Sequence, residues 1–230
     1  MTISGSLPRA IISLDALRAS ARAAVGAGGE IADLRADAYG HGAHETALEV
    51  RDAGARRVLV DDAELAGTLT AEGIDAVTDG VPDIDSILLY GLPGSGMIPA
   101  MTLTGRILSR KLLRAGEAVS YGYTHRAQRD TTIALVTGGY AQGIVRALGN
   151  HARVGVGAEM RPIVGRVAMD VCVVDLETAD AAEDSSDEVV YFGGTGPARE
   201  GLATWVQATG MRATELVAVA GAKAVREWTR

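Results

Sequence analysis

The sequence predicts an α/β region followed by a mainly-β region. Up to about residue 80, short apolar runs alternate with helical patterns in the order β-α-β-α-β, which is typical of parallel strands with helices packed outside them. From Met101 onward the segments are short and strand-like, and glycine turns separate them. We therefore place a boundary near residue 97, which gives regions 1–97 and 98–230.

The elements of the first region follow from apolar spacing and from glycines. Leu17, Ala21 and Ala24 recur at helical spacing, and a cluster of glycines ends that helix. Buried strands are indicated by short apolar runs bounded by turn residues. The predicted strands are residues 10–14, 31–36, 57–60, 74–78 and 87–90, and the predicted helices are 15–25, 43–53 and 63–72.

The second region has the composition of a β domain with a little helix. The predicted strands are residues 101–108, 131–136, 162–167 and 171–176, with one helix at 200–209. The small, acidic stretch 179–187 is interpreted as a surface loop.

Composition excludes several classes of function. The net charge of −7 and the scattered arginines argue against nucleic-acid binding. No signal-peptide pattern begins the chain, and no apolar run reaches the roughly 20 residues of a membrane span. Cys172 is the single cysteine, so no disulfide framework or cysteine metal site is predicted, and no metal site of any kind is proposed. We expect a soluble cytoplasmic protein. Only two lysines are present, Lys111 and Lys223.

The first chemical motif is Arg-Ala-Asp-Ala-Tyr-Gly-His-Gly at residues 35–42, directly after a predicted strand. Loops at the carboxyl ends of barrel strands carry the active sites of (β/α) barrels. The helix that follows offers backbone N–H groups to an anion. On the spacing alone, a tight strand-to-helix turn with a packing tyrosine is the favoured interpretation.

Three further motifs follow in the β region. They are Gly-Glu-Ala-Val-Ser-Tyr-Gly at 116–122, Gly-Gly-Tyr-Ala-Gln-Gly at 138–143 and Gly-Arg-Val-Ala-Met-Asp at 165–170. Each motif alone indicates only a turn. Together and in this order, the four motifs resemble those of the alanine racemase family, and residues 12–17 and 88–92 are similar to that family as well.

The resemblance implies a fold and a chemistry. The family joins a barrel that holds pyridoxal phosphate (PLP) to a C-terminal β domain, and it interconverts L- and D-alanine for cell-wall synthesis. It implies that Tyr121 is a catalytic base supplied across a dimer interface, and that Tyr39 contacts the cofactor phosphate. The neighbouring Gly40, His41 and Gly42 would also lie at the cofactor. The substrate entrance would be lined by Tyr140, Met169 and Asp170.

The departures from the family pattern are also informative. Arg35 stands where the family has the lysine that bonds the cofactor, and a guanidinium cannot form that bond. Ile84 replaces an arginine, Gln142 an aspartate and Thr214 a tyrosine. A complete barrel takes about 250 residues, so the middle of the barrel is absent here, with the join near Gly80.

These departures lead to three hypotheses. The first is an alanine racemase family member that is inactive as an isolated chain. The second is a non-catalytic module that pairs with itself or with a full-length racemase. The third is weak, non-covalent binding of PLP or phosphate through Tyr39, the backbone of residues 40–42 and Arg35 as a phosphate cation, with alanine as a further weak ligand. We further expect the incomplete barrel either to close as a small α/β layer or to bury an apolar face in a dimer. The expected contacts of that face are Ile31, Leu34, Val58, Leu59 and Leu88.

Overall fold

A computed structural model describes residues 7–120, 122–179 and 186–230. Tyr121 and most of the acidic stretch 179–187 lie outside the described residues. In chain order the elements are β1 (Arg9–Ser13), α1 (Leu14–Ala27), β2 (Ile31–Asp33), α2 (Arg35–Tyr39), α3 (Ala43–Asp52), β3 (Arg57–Leu59), α4 (Ala63–Ala71), β4 (Ala76–Val77), α5 (Ser86–Leu89), β5 (Met101–Leu113), β6 (Ala118–Val119), β7 (His125–Arg126), β8 (Thr131–Thr137), β9 (Arg153–Val156), β10 (Glu159–Val164), β11 (Val171–Asp175), β12 (Glu188–Phe192), α6 (Gly201–Thr209), α7 (Ala213–Lys223) and β13 (Val225–Thr229).

The α/β region forms a three-stranded parallel sheet in the order β2-β3-β4. Helix α1 begins at Ser13, whose hydroxyl accepts a hydrogen bond from the backbone N–H of Ala16 and caps the helix. The predicted core positions Leu17, Ala21 and Ala24 are all buried. The alternation of strand and helix was therefore predicted correctly as far as β4.

The outer edge of β2 is closed by the chain itself. The carboxylate of Asp83 accepts hydrogen bonds from the backbone N–H groups of Glu30 and Ile31, at 2.8 and 2.7 Å. The backbone N–H groups of Asp83 and Ile84 both donate to the carbonyl of Ile31 at 3.1 Å. The Ile84 side chain is buried in the core. The region thus closes as a small α/β layer within this chain. Leu34, Val58 and Leu59 are buried in it, whereas Ile31 and Leu88 are partly exposed.

The predicted strand at 87–90 is wrong, because these residues lie mostly in the short helix α5. The carboxylate of Asp85 accepts from the backbone N–H groups of Ile87 and Leu88 and so starts a helical turn. The edge of β2 is already bonded to Asp83 and Ile84, so residues 87–90 have no strand there to pair with. An apolar run of four residues does not by itself distinguish a strand from a buried helix.

The β region is a closed antiparallel barrel. Its strands pair in the order β5-β8-β11-β10-β9-β12, and β12 pairs with β5 to complete the ring. Sequence patterns predicted β5, β8, β10 and β11 but missed β9 and β12. Helix α7 and strand β13 were missed as well.

The two ends of the chain meet beside this barrel. Strand β1 pairs antiparallel with β5 and parallel with β13, so the first strand of the chain belongs to the same sheet as the barrel. One contiguous hydrophobic core contains residues of both regions. The boundary near residue 97 stays a prediction.

Helix α7 joins the α/β region to the barrel through small residues. A Cβ atom placed on Gly221 would lie 2.7 Å from the Cα of Gly40, in the first motif. A Cβ atom on Gly143, in the third motif, would lie 2.8 Å from the Cα of Ala220. The backbone of α7 therefore touches the turns of two motifs directly, and no larger side chain fits at these contacts.

We predict that Gly221→Ala destabilises the protein by about 1–3 kcal/mol because the added methyl overpacks this contact. Helix propensity alone predicts the opposite sign, a gain of about 1 kcal/mol. Urea unfolding measures the difference. The control is Gly67→Ala in α4, where an added Cβ meets no heavy atom within 4 Å, and it should stabilise the protein. Equal stabilisation by both changes would show that α7 is not in close contact.

Candidate functional site

The first motif lies at the carboxyl end of β2. Its segment α2 is a left-handed turn. Four consecutive residues without glycine, Ala36 to Tyr39, have φ between 51° and 54°. Each such residue costs roughly 1–2 kcal/mol relative to the right-handed form, so L-residues rarely adopt this conformation in series. The surrounding contacts must supply this energy, and backbone strain of this kind is concentrated at functional sites.

A buried carboxylate at the end of β2 organises the side chains of the turn. Arg35 donates to both oxygens of Asp33, from Nε at 2.8 Å and from Nη2 at 2.6 Å. The Tyr39 hydroxyl donates to Asp33 Oδ2 at 2.7 Å. The Tyr90 hydroxyl donates to the backbone carbonyl of Asp33 at 2.9 Å. Arg35 and Tyr39 therefore both donate hydrogen bonds to one carboxylate. We call Asp33, Arg35 and Tyr39 the Asp33 cluster.

The electrostatics of the Asp33 cluster keep its charges fixed. Burial on its own would raise the pKa of Asp33, but the hydrogen bonds from Arg35 and Tyr39 outweigh it and lower the pKa. The hydrogen bond to Asp33 raises the pKa of Arg35. Burial and the Asp33 hydrogen bond raise the pKa of Tyr39 to about 12. Near neutral pH, Asp33 is charged and the Tyr39 hydroxyl keeps its proton.

Carboxylates also accept hydrogen bonds from backbone N–H groups of the turn. The N–H of Ala36 donates to Asp61 Oδ2 at 2.6 Å, and the N–H of Ala43, at the start of α3, donates to Asp37 Oδ1 at 2.8 Å. Arg226, on β13, forms an ion pair with Asp37 at 2.5 Å. The backbone N–H groups of Ala36 and Ala43 are thus already bound to negative side chains of this chain.

His41 lies beneath the turn as a buried, neutral side chain. Its Nδ1–H donates to the carbonyl of Ala38 at 2.9 Å, and its ring stacks on Tyr90 with centroids 4.6 Å apart. Burial lowers the pKa of His41 to about 4. Among the neighbouring residues, Gly40 contacts α7 and Gly42 precedes α3 with a φ of 99°. These three residues shape the turn.

The third and fourth motifs form one surface on the barrel. The backbone N–H groups of Tyr140 and Ala141 donate to the carbonyls of Ala168 and Met169 at 2.9 and 3.0 Å. Tyr140 and Met169 line a depression of about 310 Å³ with Arg146, whose guanidinium lies 5.0 Å from the centre of the Tyr140 ring. Asp170 is exposed, and its carbonyl accepts from the N–H of Gly138 at 3.1 Å.

The second motif lies against the fourth. The Ser120 hydroxyl donates to the carbonyl of Arg166 at 2.8 Å, and a Cβ on Gly165 would lie 2.2 Å from the Ser120 Cβ. Tyr121 itself is outside the described residues. The structure therefore brings the three barrel motifs together around residues 165–170, and α7 connects the third motif to the first.

Sequence reasoning missed four residues of these sites: Asp33, Asp61, Arg146 and Arg226. Asp33 carried a signal, since it is an acidic residue at the end of an apolar strand just before the motif. Arg226 lies 189 positions after Asp37, and only the pairing of β13 with β1 brings it close. No local pattern in the sequence could have indicated that contact.

Within residues 7–120, 122–179 and 186–230, no three His, Cys, Asp or Glu side chains are grouped as metal ligands. No described helix is long and apolar enough to cross a membrane.

The fold therefore consists of an α/β layer and a closed antiparallel barrel. Helix α7 joins the glycine loops of the barrel to the strained turn of the α/β layer. The sequence model of the alanine racemase C-terminal domain matches residues 100–228. The alanine racemase of Mycobacterium avium (strain 104) is 44% identical over 113 residues, which are 46% of this chain and 29% of that protein. That of Mycolicibacterium vanbaalenii is 38% identical over 146 residues, covering 61% of this chain and 37% of that protein.

Solved structures show the same fold. Alanine racemase from Streptomyces lavendulae superposes with a TM-score of 0.80 at 21% identity, covering 98% of this chain and 97% of that one. The alanine racemase of Bartonella henselae with covalently bound pyridoxal phosphate gives a TM-score of 0.76 at 18% identity, covering 97% and 99%. This chain belongs to the alanine racemase family, as its motifs predicted. It spans about a third of the length of the curated relatives it matches.

We predict that Asp33→Asn destabilises the protein by about 2 kcal/mol, because a charged acceptor of several hydrogen bonds is lost from a buried position. Since the folded-state pKa of Asp33 is depressed, the stability difference from wild type should be fully present above the unfolded value of 3.8. It should shrink as the pH falls through the lower folded-state pKa. Urea unfolding across a pH series measures this.

The matched control for this prediction is Asp52→Asn. Asp52 also pairs with an arginine, Arg51, but its side chain is 63% exposed. Exposed pairs contribute about 0–1 kcal/mol. Equal effects of the two substitutions at neutral pH would refute a central role for Asp33.

Proposed function

We propose that this chain is a member of the alanine racemase family that does not racemise alanine by itself. The observation that carries the proposal is the Asp33 cluster. The position that resembles the family's cofactor-bonding lysine is Arg35, and its guanidinium is held by both oxygens of Asp33. An arginine stays protonated and cannot act as the amine that covalent attachment needs.

Neither lysine of the chain offers a replacement. Lys111 is exposed on β5 of the barrel, and Lys223 is exposed at the last position of α7. A nucleophilic lysine usually requires a desolvated pocket or a neighbouring cation that lowers its pKa. Two exposed side chains lack such an environment.

The residues around the turn do not fit PLP. A phosphate needs free backbone N–H groups and positive side chains. Here Asp33, Asp61 and Asp37 accept the hydrogen bonds of Arg35, Ala36 and Ala43, and Tyr39 donates to Asp33. A phosphate at the turn would face these carboxylates. We therefore derive no step of a reaction through this cofactor.

The small parallel sheet supports the same proposal. A complete (β/α)8 barrel gathers its ligand contacts from eight strand-to-helix loops. The described residues provide a parallel sheet of three strands, β2, β3 and β4. Racemisation requires two groups that move protons, one on each face of the substrate. The resemblance provides one of them, Tyr121.

We predict that the purified chain with added PLP forms D-alanine no faster than free PLP does, and that Arg35→Lys does not restore turnover. The carboxylates around the turn remain in that variant, so the cofactor site stays unfavourable. Chiral chromatography measures the product. Intact mass after borohydride reduction detects any covalent cofactor adduct. The Mycobacterium avium relative serves as a positive control. Turnover by the wild-type chain well above free PLP would overturn the proposal.

A second candidate function is a non-catalytic module that pairs with a copy of itself or with a full-length racemase. The exposed apolar side chains of Tyr140 and Met169 favour it, because they lie together beside Arg146 on the barrel surface. Aromatic residues, methionine and arginine are the types enriched at protein interfaces. This surface is independent of the Asp33 cluster.

We predict that Met169→Asp weakens such pairing by placing a charge in its apolar contact, whereas Val81→Asp does not. Val81 is 81% exposed and lies in the α/β region, so it is a matched surface control. Light scattering after size exclusion, on the chain alone and co-expressed with a full-length racemase, measures the species present. A monomer that forms no mixed species would rule out this role.

A further inference from the structure

A cavity of about 240 Å³ lies between the loop that follows α5 and the helices α6 and α7. It is separate from the depression beside Tyr140. Its volume equals roughly eight water-sized groups, which suits a small molecule better than a single water. Its wall combines polar and apolar groups. Apolar side chains in the lining include Leu92, Met97, Met101, Phe192, Leu202 and Val217.

The loop that forms one wall is firmly held. The N–H of Ala100 donates to the carbonyl of Tyr90 at 3.2 Å, and the N–H of Leu92 donates to the carbonyl of Ile87 at 2.9 Å. Gly91 has a φ of 63°, and a Cβ there would lie 2.3 Å from the carbonyl oxygen of Ile98. A loop packed this tightly cannot simply collapse into the space beside it, so the cavity is a built feature of the fold.

His41 is one of the residues that line the cavity, and its ring offers a hydrogen-bond acceptor. Its Nδ1 carries the proton, because that atom contacts the carbonyl of Ala38. The other ring nitrogen, Nε2, is therefore an acceptor. It is fully buried and has no hydrogen-bond partner in the described part of the chain. Leaving a buried acceptor unsatisfied is unfavourable, so a ligand with an O–H or N–H group at this end would be stabilised.

At the exposed side of the cavity, Arg199 offers positive charge. Its Nη2 donates to the carbonyl of Met97 at 3.3 Å, and its Nε lies 3.4 Å from the carboxylate of Glu200. Both distances are long for hydrogen bonds of a charged donor, which are normally about 2.7–2.9 Å. The guanidinium thus keeps capacity for a carboxylate, which it can bind with two parallel hydrogen bonds.

We propose that this cavity binds a small carboxylate with an apolar body and a hydrogen-bond donor at its far end. The carboxylate pairs with Arg199 at the mouth, the apolar body packs against Met101, Phe192 and Leu202, and the donor meets His41 Nε2. None of these interactions uses Arg35, Asp33 or a cofactor. The site shares only His41 with the turn above it and does not depend on the proposed lack of racemisation.

The test is calorimetric titration of the full chain with three related probes. 4-Hydroxyphenylacetate carries both polar ends, phenylacetate lacks the hydroxyl and 4-hydroxyphenylethanol lacks the carboxylate. We expect saturable binding of the first probe and binding weakened by about tenfold or more for each of the others. Absence of saturable binding by all three at millimolar concentration would overturn the proposal.

Two substitutions separate this site from non-specific binding. Arg199→Gln should weaken binding of 4-hydroxyphenylacetate by about tenfold or more, and Arg22→Gln, on the exposed face of α1, should leave it unchanged. Leu202→Trp should abolish binding by filling the cavity. Circular dichroism checks that each variant is folded. If Leu202→Trp does not fold, the comparison of Arg199→Gln with Arg22→Gln tests the site. Binding unaffected by Arg199→Gln would refute the assigned site.

Discussion

The close approach of helix α7 to two glycine turns is the contact on which both halves of the molecule depend. Gly221 lies against Gly40 of the strained turn, and Ala220 lies against Gly143 of the barrel loop. Close-packed interiors transmit strain because neighbouring atoms cannot relax freely. The left-handed conformation of Ala36 to Tyr39 therefore persists because a helix presses on one side of the turn, while hydrogen bonds to carboxylates fix the other. The same helix sets the position of the third motif, so the α/β turn and the barrel loops form one structural unit.

The charges around the turn pair with one another. Asp33 accepts from Arg35 and Tyr39, and Asp37 is paired with Arg226. Charged donors and acceptors that satisfy one another lose most of their capacity to bind an external ion. Arg35 supplies a cation that neutralises the carboxylate at the end of β2 through two hydrogen bonds.

The sequence predicted the order of secondary structure in the α/β region, four of the barrel strands and the family. These features depend on local periodicity or on motifs with a fixed order, which a linear reading detects. It did not predict closure of the barrel, because β12 pairs with β5 across more than 70 residues and local patterns carry no such information. The short helix α5 was mistaken for a strand because four apolar residues suit either state. Within the candidate site, Arg35 and Tyr39 were found from the motif. Arg226 and the role of Asp33 became visible only when tertiary pairing placed them beside the turn.

Tyr90 connects the strained turn to the cavity on its other side. Its ring contacts both Tyr39, with centroids 5.5 Å apart, and His41, at 4.6 Å, and its hydroxyl donates to the carbonyl of Asp33. One aromatic side chain thus forms the wall between the Asp33 cluster and the cavity. His41 differs from the charged residues of the turn because burial keeps it neutral and leaves Nε2 as an acceptor. On the cavity side of this wall, the unpaired Nε2 of His41 is therefore the group that the ligand proposed above would use.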